Sequence, residues 1–385
     1  MNKIKSICLV LVASLICSIF LFGSNSFIVN AGDSNFSTSA KAMCVIEKGS
    51  GRIIAGKNEE MRLAMASTTK IVTAITVIQN CSNLDEQIQV CDASVGVEGS
   101  SIYLRHGEII SVRDLLYGLM LRSGNDSAVA LACHVGGNLE GFAKMMNETA
   151  KKAGAENSNF ATPHGLDHKD HYTTAYDLAR ITAYALNNPI FKEISSCKMH
   201  IVEATNKSDT RYMSNKNKLL NTLDGCAGVK TGFTTKAGRC LVSAIERDDT
   251  TYVCVVLNCG PMFEESASLL NNADYYFENT KIIDKNKEIY NEYIIDETNG
   301  KLYLYAEEDF YYPLAKGEIN DIKIEYNVKL DNAKENECVG EIKVFFKKDL
   351  LKTIKLYTMN KIDKLIDSNT LEISEILWEE KANEN

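Results

Sequence analysis

Three short stretches hold residue types that together make an acyl-transfer centre: Ser67-Thr68-Thr69-Lys70, Ser123-Gly124-Asn125 and Lys230-Thr231-Gly232, in that order along the chain. A serine hydroxyl is a poor nucleophile until a neighbouring base takes its proton. Ser67 opens an apolar-periodic helix in which Ile71, Val72, Ile75 and Ile78 form one stripe. Lys70 follows three residues later, so both side chains leave the same face one turn apart and the amine reaches the hydroxyl. Burial and a second cation push a lysine toward its neutral form, and Lys230 supplies that cation if the fold brings it near. The helix N-terminus adds a positive field and the free N–H of Ser67, both suited to an oxyanion.

The other two stretches fit complementary tasks. Ser123-Gly124-Asn125 joins two helical segments, residues 112–122 and 126–135. The Ser123 hydroxyl there relays a proton between nucleophile and leaving group, and the Asn125 amide fixes Lys70 or a substrate amide. Lys230-Thr231-Gly232 opens a β-rich region with runs at residues 228–232, 239–246 and 251–258, read as an antiparallel edge. A peptide can add to such an edge as a further strand, with Lys230 and Thr231 meeting its terminal carboxylate and Gly232 allowing close approach. The N–H of Phe233 then completes the oxyanion pocket. Each stretch alone also has a plain structural role: a helix cap at Ser67 or Thr68, a turn at Gly124, a glycine-rich strand entry at Gly232.

The elements that must position these groups are partly legible. Residues 43–46 and 52–55 flank Gly49 and Gly51 and read as a two-stranded hairpin. From about residue 284, alternation at Ile322, Ile324, Tyr326, Val328 and Leu330, and again at Ile342, Val344 and Phe346, indicates strands with one buried face, hence a small all-β sandwich over residues 284–358. Residues 359–385 form a tail in which Ile362, Leu365, Ile366, Ile373, Ile376 and Leu377 line one helical stripe. Such a helix lies on a membrane surface or docks on the β region. Glu372, Glu375, Glu379 and Glu380 oppose anionic lipid, whereas Trp378 favours an interface.

Composition limits the setting. Lys3 and Lys5 precede an apolar run over residues 7–22, and Val29-Asn30-Ala31 suits a signal peptidase, so residues 1–31 read as a secretory leader. The 385-residue chain has a net charge of −9, roughly −11 without the leader, which argues against nucleic acid as a partner. About 350 remaining residues exceed one compact core and imply two domains. Ten of twelve cysteines lie beyond the leader without a CxxC pair; Cys133, Cys240 and Cys254 sit in apolar runs and read as small hydrophobes. His164, His168, Asp170 and His171 are close enough in sequence to suggest metal ligands, but no HExxH helix is present and structural loop histidines are the better reading.

The three stretches, together with residues 64–75, Thr162-Pro163-His164-Gly165-Leu166-Asp167, Tyr172-Thr173-Thr174-Ala175-Tyr176-Asp177-Leu178 and residues 228–234, resemble the D-alanyl-D-alanine carboxypeptidases among low-molecular-mass penicillin-binding proteins. The likeness spans about residues 38–282 and, more loosely, the remainder. It implies an α/β (α+β) serine β-lactamase/DD-peptidase-like fold over residues 32–283: an antiparallel sheet flanked by helices, with the site between a sheet edge and an all-helical part. It also implies roles. Ser67 attacks the carbonyl between two D-alanines of a peptidoglycan stem peptide, Lys70 is the base, Ser123 and Asn125 assist, Lys230 and Thr231 bind the carboxylate, and β-lactams acylate Ser67. No cofactor is implied. Family members often carry an arginine where an ungapped alignment puts Met262; Lys236 or Arg239 are the candidate substitutes. A class A-like β-lactamase would need a Glu-x-x-Leu-Asn segment, which is absent, and a non-catalytic wall-binding protein would not need complete motifs.

Overall fold

A five-stranded antiparallel sheet organises the first part of the chain, in the order Ile53–Lys57, Ala42–Glu47, Thr250–Leu257, Gly238–Arg247, Cys226–Thr234. The structure, a computed structural model, describes residues 34–287, 289–295, 298–328, 334–359 and 371–373. The expected leader, residues 1–31, lies outside them. Both faces of the sheet are covered, and side chains alternate between two cores. Cys44, Ile46, Val253 and Val255 face one core with the helices; Met43, Val45, Cys254 and Val256 face the other, closed by helix Met262–Tyr276. Double burial explains why these strands read as continuous apolar runs rather than alternating ones.

The helical part packs on the first core. Helix Lys70–Asn80 is preceded by a 3₁₀ turn, Ala66–Thr69, and buries Ile71, Val72, Ile75 and Ile78 as its stripe requires. The segment expected as one helix over residues 112–122 is α-helical over Val112–Tyr117 and widens into a π-helical turn over Gly118–Arg122. Helix Asn125–Gly136 follows. Ser111 caps the first of these helices by accepting from the Asp114 N–H.

The second region is all-β. A six-stranded sheet and the two-stranded ribbon Phe277–Ile283 with Phe310–Ala315 enclose a third core, to which Ile283, Tyr312 and Leu314 of the ribbon and Leu304, Ile342, Val344 and Leu356 of the sheet contribute. These pairings begin at Phe277, ahead of the division at residue 284 expected from composition, because the strand runs straight on from helix Met262–Tyr276. Arg52 fastens the two regions. It is buried, its guanidinium pairs with Glu318 at 2.8 Å and donates to the Pro313 carbonyl, and it lies 4.8–5.1 Å from the ring centres of Phe277, Tyr312 and Phe346.

The tail departs from its expected helix where it is described. Leu371–Ile373 form a strand antiparallel to Ile322–Val328. The edge of Ile322–Val328 provides the backbone partners for this strand. Ile373 of the expected membrane-lying stripe is in this strand; Leu330 and the other residues of the stripe, Ile362, Leu365, Ile366, Ile376 and Leu377, lie outside the described residues. No helix among the described residues is long and apolar enough to cross a membrane.

Candidate active site

The 3₁₀ turn before helix Lys70–Asn80 presents Ser67, half-buried, and sinks Lys70 completely. Lys70 Nζ lies 3.0 Å from Ser67 Oγ, 2.7 Å from Asn125 Oδ1 and 2.6 Å from the His164 carbonyl. The Asn125 amide is oriented by its Nδ2, which donates to the Glu98 carbonyl at 2.6 Å, so Oδ1 must face the lysine. Two of the three partners of Lys70 are therefore carbonyl oxygens that only accept. A neutral amine spends its two N–H groups on them and turns its lone pair to the Ser67 O–H.

Electrostatics favour that neutral form. Burial first, then the charges of Lys230 and Lys216, hold Lys70 well below the usual lysine range, with Asp126 acting weakly the other way. Lys230, equally buried, is lowered to about 7 by burial and by Lys216. Lys216 itself is lowered by burial and by Arg122. Lys70 and Lys230 are both buried, and Lys216 adds positive charge from a more exposed position, an arrangement that favours the uncharged form of Lys70.

The sheet edge closes on Ser67. Cys226–Thr234 is the terminal strand, and a methyl group added to Gly232 would stand 3.0 Å from the N–H nitrogens of Ser67 and Thr68 and from the Met65 carbonyl. Gly232 is therefore the residue type that lets the strand lie directly on the turn that carries Ser67. Phe233, next along the edge, is 65% exposed, and Thr231 is half-buried. Thr234 Oγ1 bonds Asp167 at 3.0 Å, which joins the same strand to the loop carrying His164. Gly165 in that loop has φ +86°, and its α-carbon abuts the Ala66 carbonyl so closely that a side chain would overlap it at 2.0 Å.

Ser123 ends the π-helical turn in the left-handed region, φ 64° and ψ 35°, and is buried. Among the described residues its hydroxyl makes no hydrogen bond. Its neighbour Asn125 is held from the loop at residues 98–101: the Asn125 N–H donates to the Ser100 carbonyl at 2.7 Å. Asp126 braces the same loop through Ser101 Oγ and the N–H groups of Ile102 and Leu104.

A model of the D-alanyl-D-alanine carboxypeptidase family matches residues 29–260, and one described as the penicillin-binding protein 5 C-terminal domain matches residues 277–364. The chain belongs to the D-alanyl-D-alanine carboxypeptidase family. It is 29% identical over 332 residues to D-alanyl-D-alanine carboxypeptidase DacF of Bacillus subtilis, covering 83% of this chain and 85% of that protein. It is 34% identical over 227 residues to a D-alanyl-D-alanine carboxypeptidase of Streptomyces sp. strain K15, covering 55% and 78%. Among solved structures, penicillin binding protein 5 of Haemophilus influenzae superposes with a TM-score of 0.69 at 27% identity, over 85% of this chain and 98% of that one. The fold and the serine hydrolase class expected from the motifs are those of this family.

In this carboxypeptidase family member the remaining expected residues have the following places. Met262 begins a helix and packs on the second core, a use for an apolar side chain. Arg239 is exposed, pairs in register with Phe233, and donates to the Gly260 carbonyl at 3.3 Å; Lys236 is also exposed. His171 accepts the Ala161 N–H at Nδ1, 3.0 Å, so its Nε2 carries hydrogen and donates to Thr69 Oγ1 at 2.8 Å. Burial keeps it neutral, with a pKa lowered to about 3. The ring is thus a pillar between the turn that carries Ser67 and the loop that offers the His164 carbonyl. Cys240 and Cys254 are fully buried, as small hydrophobes would be, whereas Cys133 is only half-buried.

Lys216 was not singled out by sequence. Its N–H donates to Leu121 in the π-helical turn at 3.2 Å and its Nζ to Ser100 Oγ at 2.8 Å, so it links the segments that carry Ser123 and Asn125. No motif or periodicity marks it; only the fold brings residue 216 to this cleft.

Proposed function

We propose that this chain removes the terminal D-alanine from peptidoglycan stem peptides through an acyl-enzyme on Ser67, and that β-lactams acylate the same hydroxyl. The observation that carries this reading is the 3.0 Å contact of Ser67 Oγ with a fully buried Lys70 whose other partners are two carbonyl oxygens. Lys70 takes the Ser67 proton as Oγ attacks the carbonyl between the two D-alanines. The oxyanion is held by the N–H groups of Ser67 and Phe233, which the packing of Gly232 on the Ser67 turn supports. The C–N bond breaks, Ser123 passes the proton to the departing amine, and D-alanine leaves. Water, deprotonated in turn, attacks the ester and regenerates Ser67. Asn125 orients Lys70, and Lys230 and Thr231 receive the substrate's terminal carboxylate as the peptide lies along the free sheet edge. Arg239, on the strand next to that edge, or Lys236, in the turn between the two strands, is the cation available where Met262 holds the place of the family arginine.

The apolar run at residues 7–22 and the small residues at 29–31 support export, which puts the enzyme at the cell wall outside the cytoplasmic membrane. Intact-mass analysis after penicillin exposure, with D-alanine release from a stem-peptide mimic, tests the proposal. One adduct in the wild type, none in Ser67→Ala, and D-alanine formed only by the wild type is the expected outcome. Rapid catalytic destruction of penicillin without D-alanine release would make the enzyme a β-lactamase instead, and an inert Ser67 would make it a wall-binding protein.

A further inference from the structure

Helices Lys70–Asn80 and Asn125–Gly136 begin at the catalytic cleft and end together at a second cluster of chemically active side chains. Cys81 follows the first helix, His134 lies in the last turn of the second, and Glu86 comes from the turn before strand Gln87–Gln89. Cys81 Sγ is 3.3 Å and His134 Nε2 3.0 Å from the same oxygen of Glu86, and the three donor atoms all lie within 4.8 Å of one another. Helix rise puts this cluster roughly 15 Å from the cleft.

We propose that Cys81, Glu86 and His134 form a zinc-binding site that clips the far ends of the two helices whose near ends hold Lys70 and Asn125. The donor set is one thiolate, one carboxylate and one imidazole, the combination that zinc takes in preference to hard cations such as calcium or magnesium. Tetrahedral zinc with bonds of about 2.0–2.3 Å separates its ligand atoms by roughly 3.3–3.6 Å. The sulfur–oxygen and nitrogen–oxygen separations here are already close to that, so binding requires mainly that the thiol and imidazole draw together. Thiolate and carboxylate balance the two charges of the ion. Side-chain exposure of 30% at His134 and 38% at Glu86 leaves the fourth position to water and an open route for entry.

The thiol proton is released to solvent on binding, since Cys81 is held protonated by burial and by Glu86. Affinity therefore rises with pH. The site takes no part in acyl transfer; it restrains the frame on which the two catalytic helices rest, and its presence does not depend on the roles proposed for Ser67 and Lys70.

Cobalt(II) titration of the purified, reduced, metal-free protein tests the site. One equivalent is expected to bind, with a thiolate-to-cobalt charge-transfer band and the intense visible bands of four-coordinate cobalt, both displaced by zinc. Cys81→Ser should abolish the charge-transfer band, and His134→Ala or Glu86→Gln should weaken binding at least about tenfold. Cys133→Ser is the control, because Cys133 and Cys91 form a neighbouring thiol pair, and it should retain the band. Acylation of each variant by penicillin establishes that it is folded. No band in the wild type, or a band that survives Cys81→Ser and disappears in Cys133→Ser, would overturn the proposal and leave the triad a hydrogen-bonded cluster.

Discussion

The proposed mechanism requires an uncharged Lys70, and that requirement gives it a pH signature. Activity should rise as Lys70 loses its proton, with a limb well below the 10.5 of an ordinary lysine. It should fall again as Lys230, lowered to about 7 in the free enzyme, loses the charge that receives the carboxylate. The kcat/KM profile is therefore expected to be a bell, and Lys230→Arg should remove its descending limb, because a guanidinium stays charged. Lys216→Met takes a positive charge from beside both lysines, so both pKa values rise and the whole bell moves to higher pH, while Lys216→Arg leaves it in place. A fall in rate with no shift of the limbs would show Lys216 to be a structural brace only. Lys70→Met should lower acylation by about 10²–10⁴, the usual range for loss of a general base. The contact of Ser67 with Lys70 was legible because it depends on residue type at short spacing. Lys216 and the His164 carbonyl were not, since a backbone oxygen and a lone lysine carry no spacing signal.

The elements hold the site by close backbone approaches. Gly165→Ala would put a side chain into the Ala66 carbonyl at a positive φ, and the resulting shift of the nucleophile's turn is expected to cost about 1–3 kcal/mol and to slow penicillin acylation more than tenfold. Chemical denaturation and stopped-flow acylation measure the two effects. An unchanged acylation rate would show that the turn tolerates displacement. Ile75→Ala, in the buried stripe of the same helix, should cost about 2–5 kcal/mol in stability with no shift of the pH profile. Helix Lys70–Asn80 and the three contiguous strands of the main sheet were readable from apolar period and run length. The π-helical turn at Gly118–Arg122 was not, because widening a last turn leaves the apolar period almost intact. The strand Leu371–Ile373 was missed for a different reason: its pairing depends on a remote open edge rather than on local pattern.

At the scale of the whole molecule, the catalytic and β regions meet at Arg52. Arg52→Ala removes a buried guanidinium from Glu318, the Pro313 carbonyl and three rings, and should cost about 2 kcal/mol or more. Calorimetry is expected to resolve two transitions in that variant, with penicillin acylation unchanged below the first; a single unaltered transition would contradict a fastening role. Sequence composition separated two regions because charge and strand alternation change near residue 284, yet Arg52 reads there as an ordinary hairpin residue, since its partners lie some 260 residues on. The same long-range assembly brings Ser67, Lys70 and Lys230 into one cleft, in which both lysines are buried and Ser67 is half-buried. The most direct test of that cleft is the rate of penicilloyl adduct formation, located by peptide mapping, across pH. A single adduct on Ser67 is expected, forming with an apparent pKa well below 10.5 that vanishes in Lys70→Met. An adduct on another residue, or a rate that climbs only as an ordinary lysine would titrate, would contradict it.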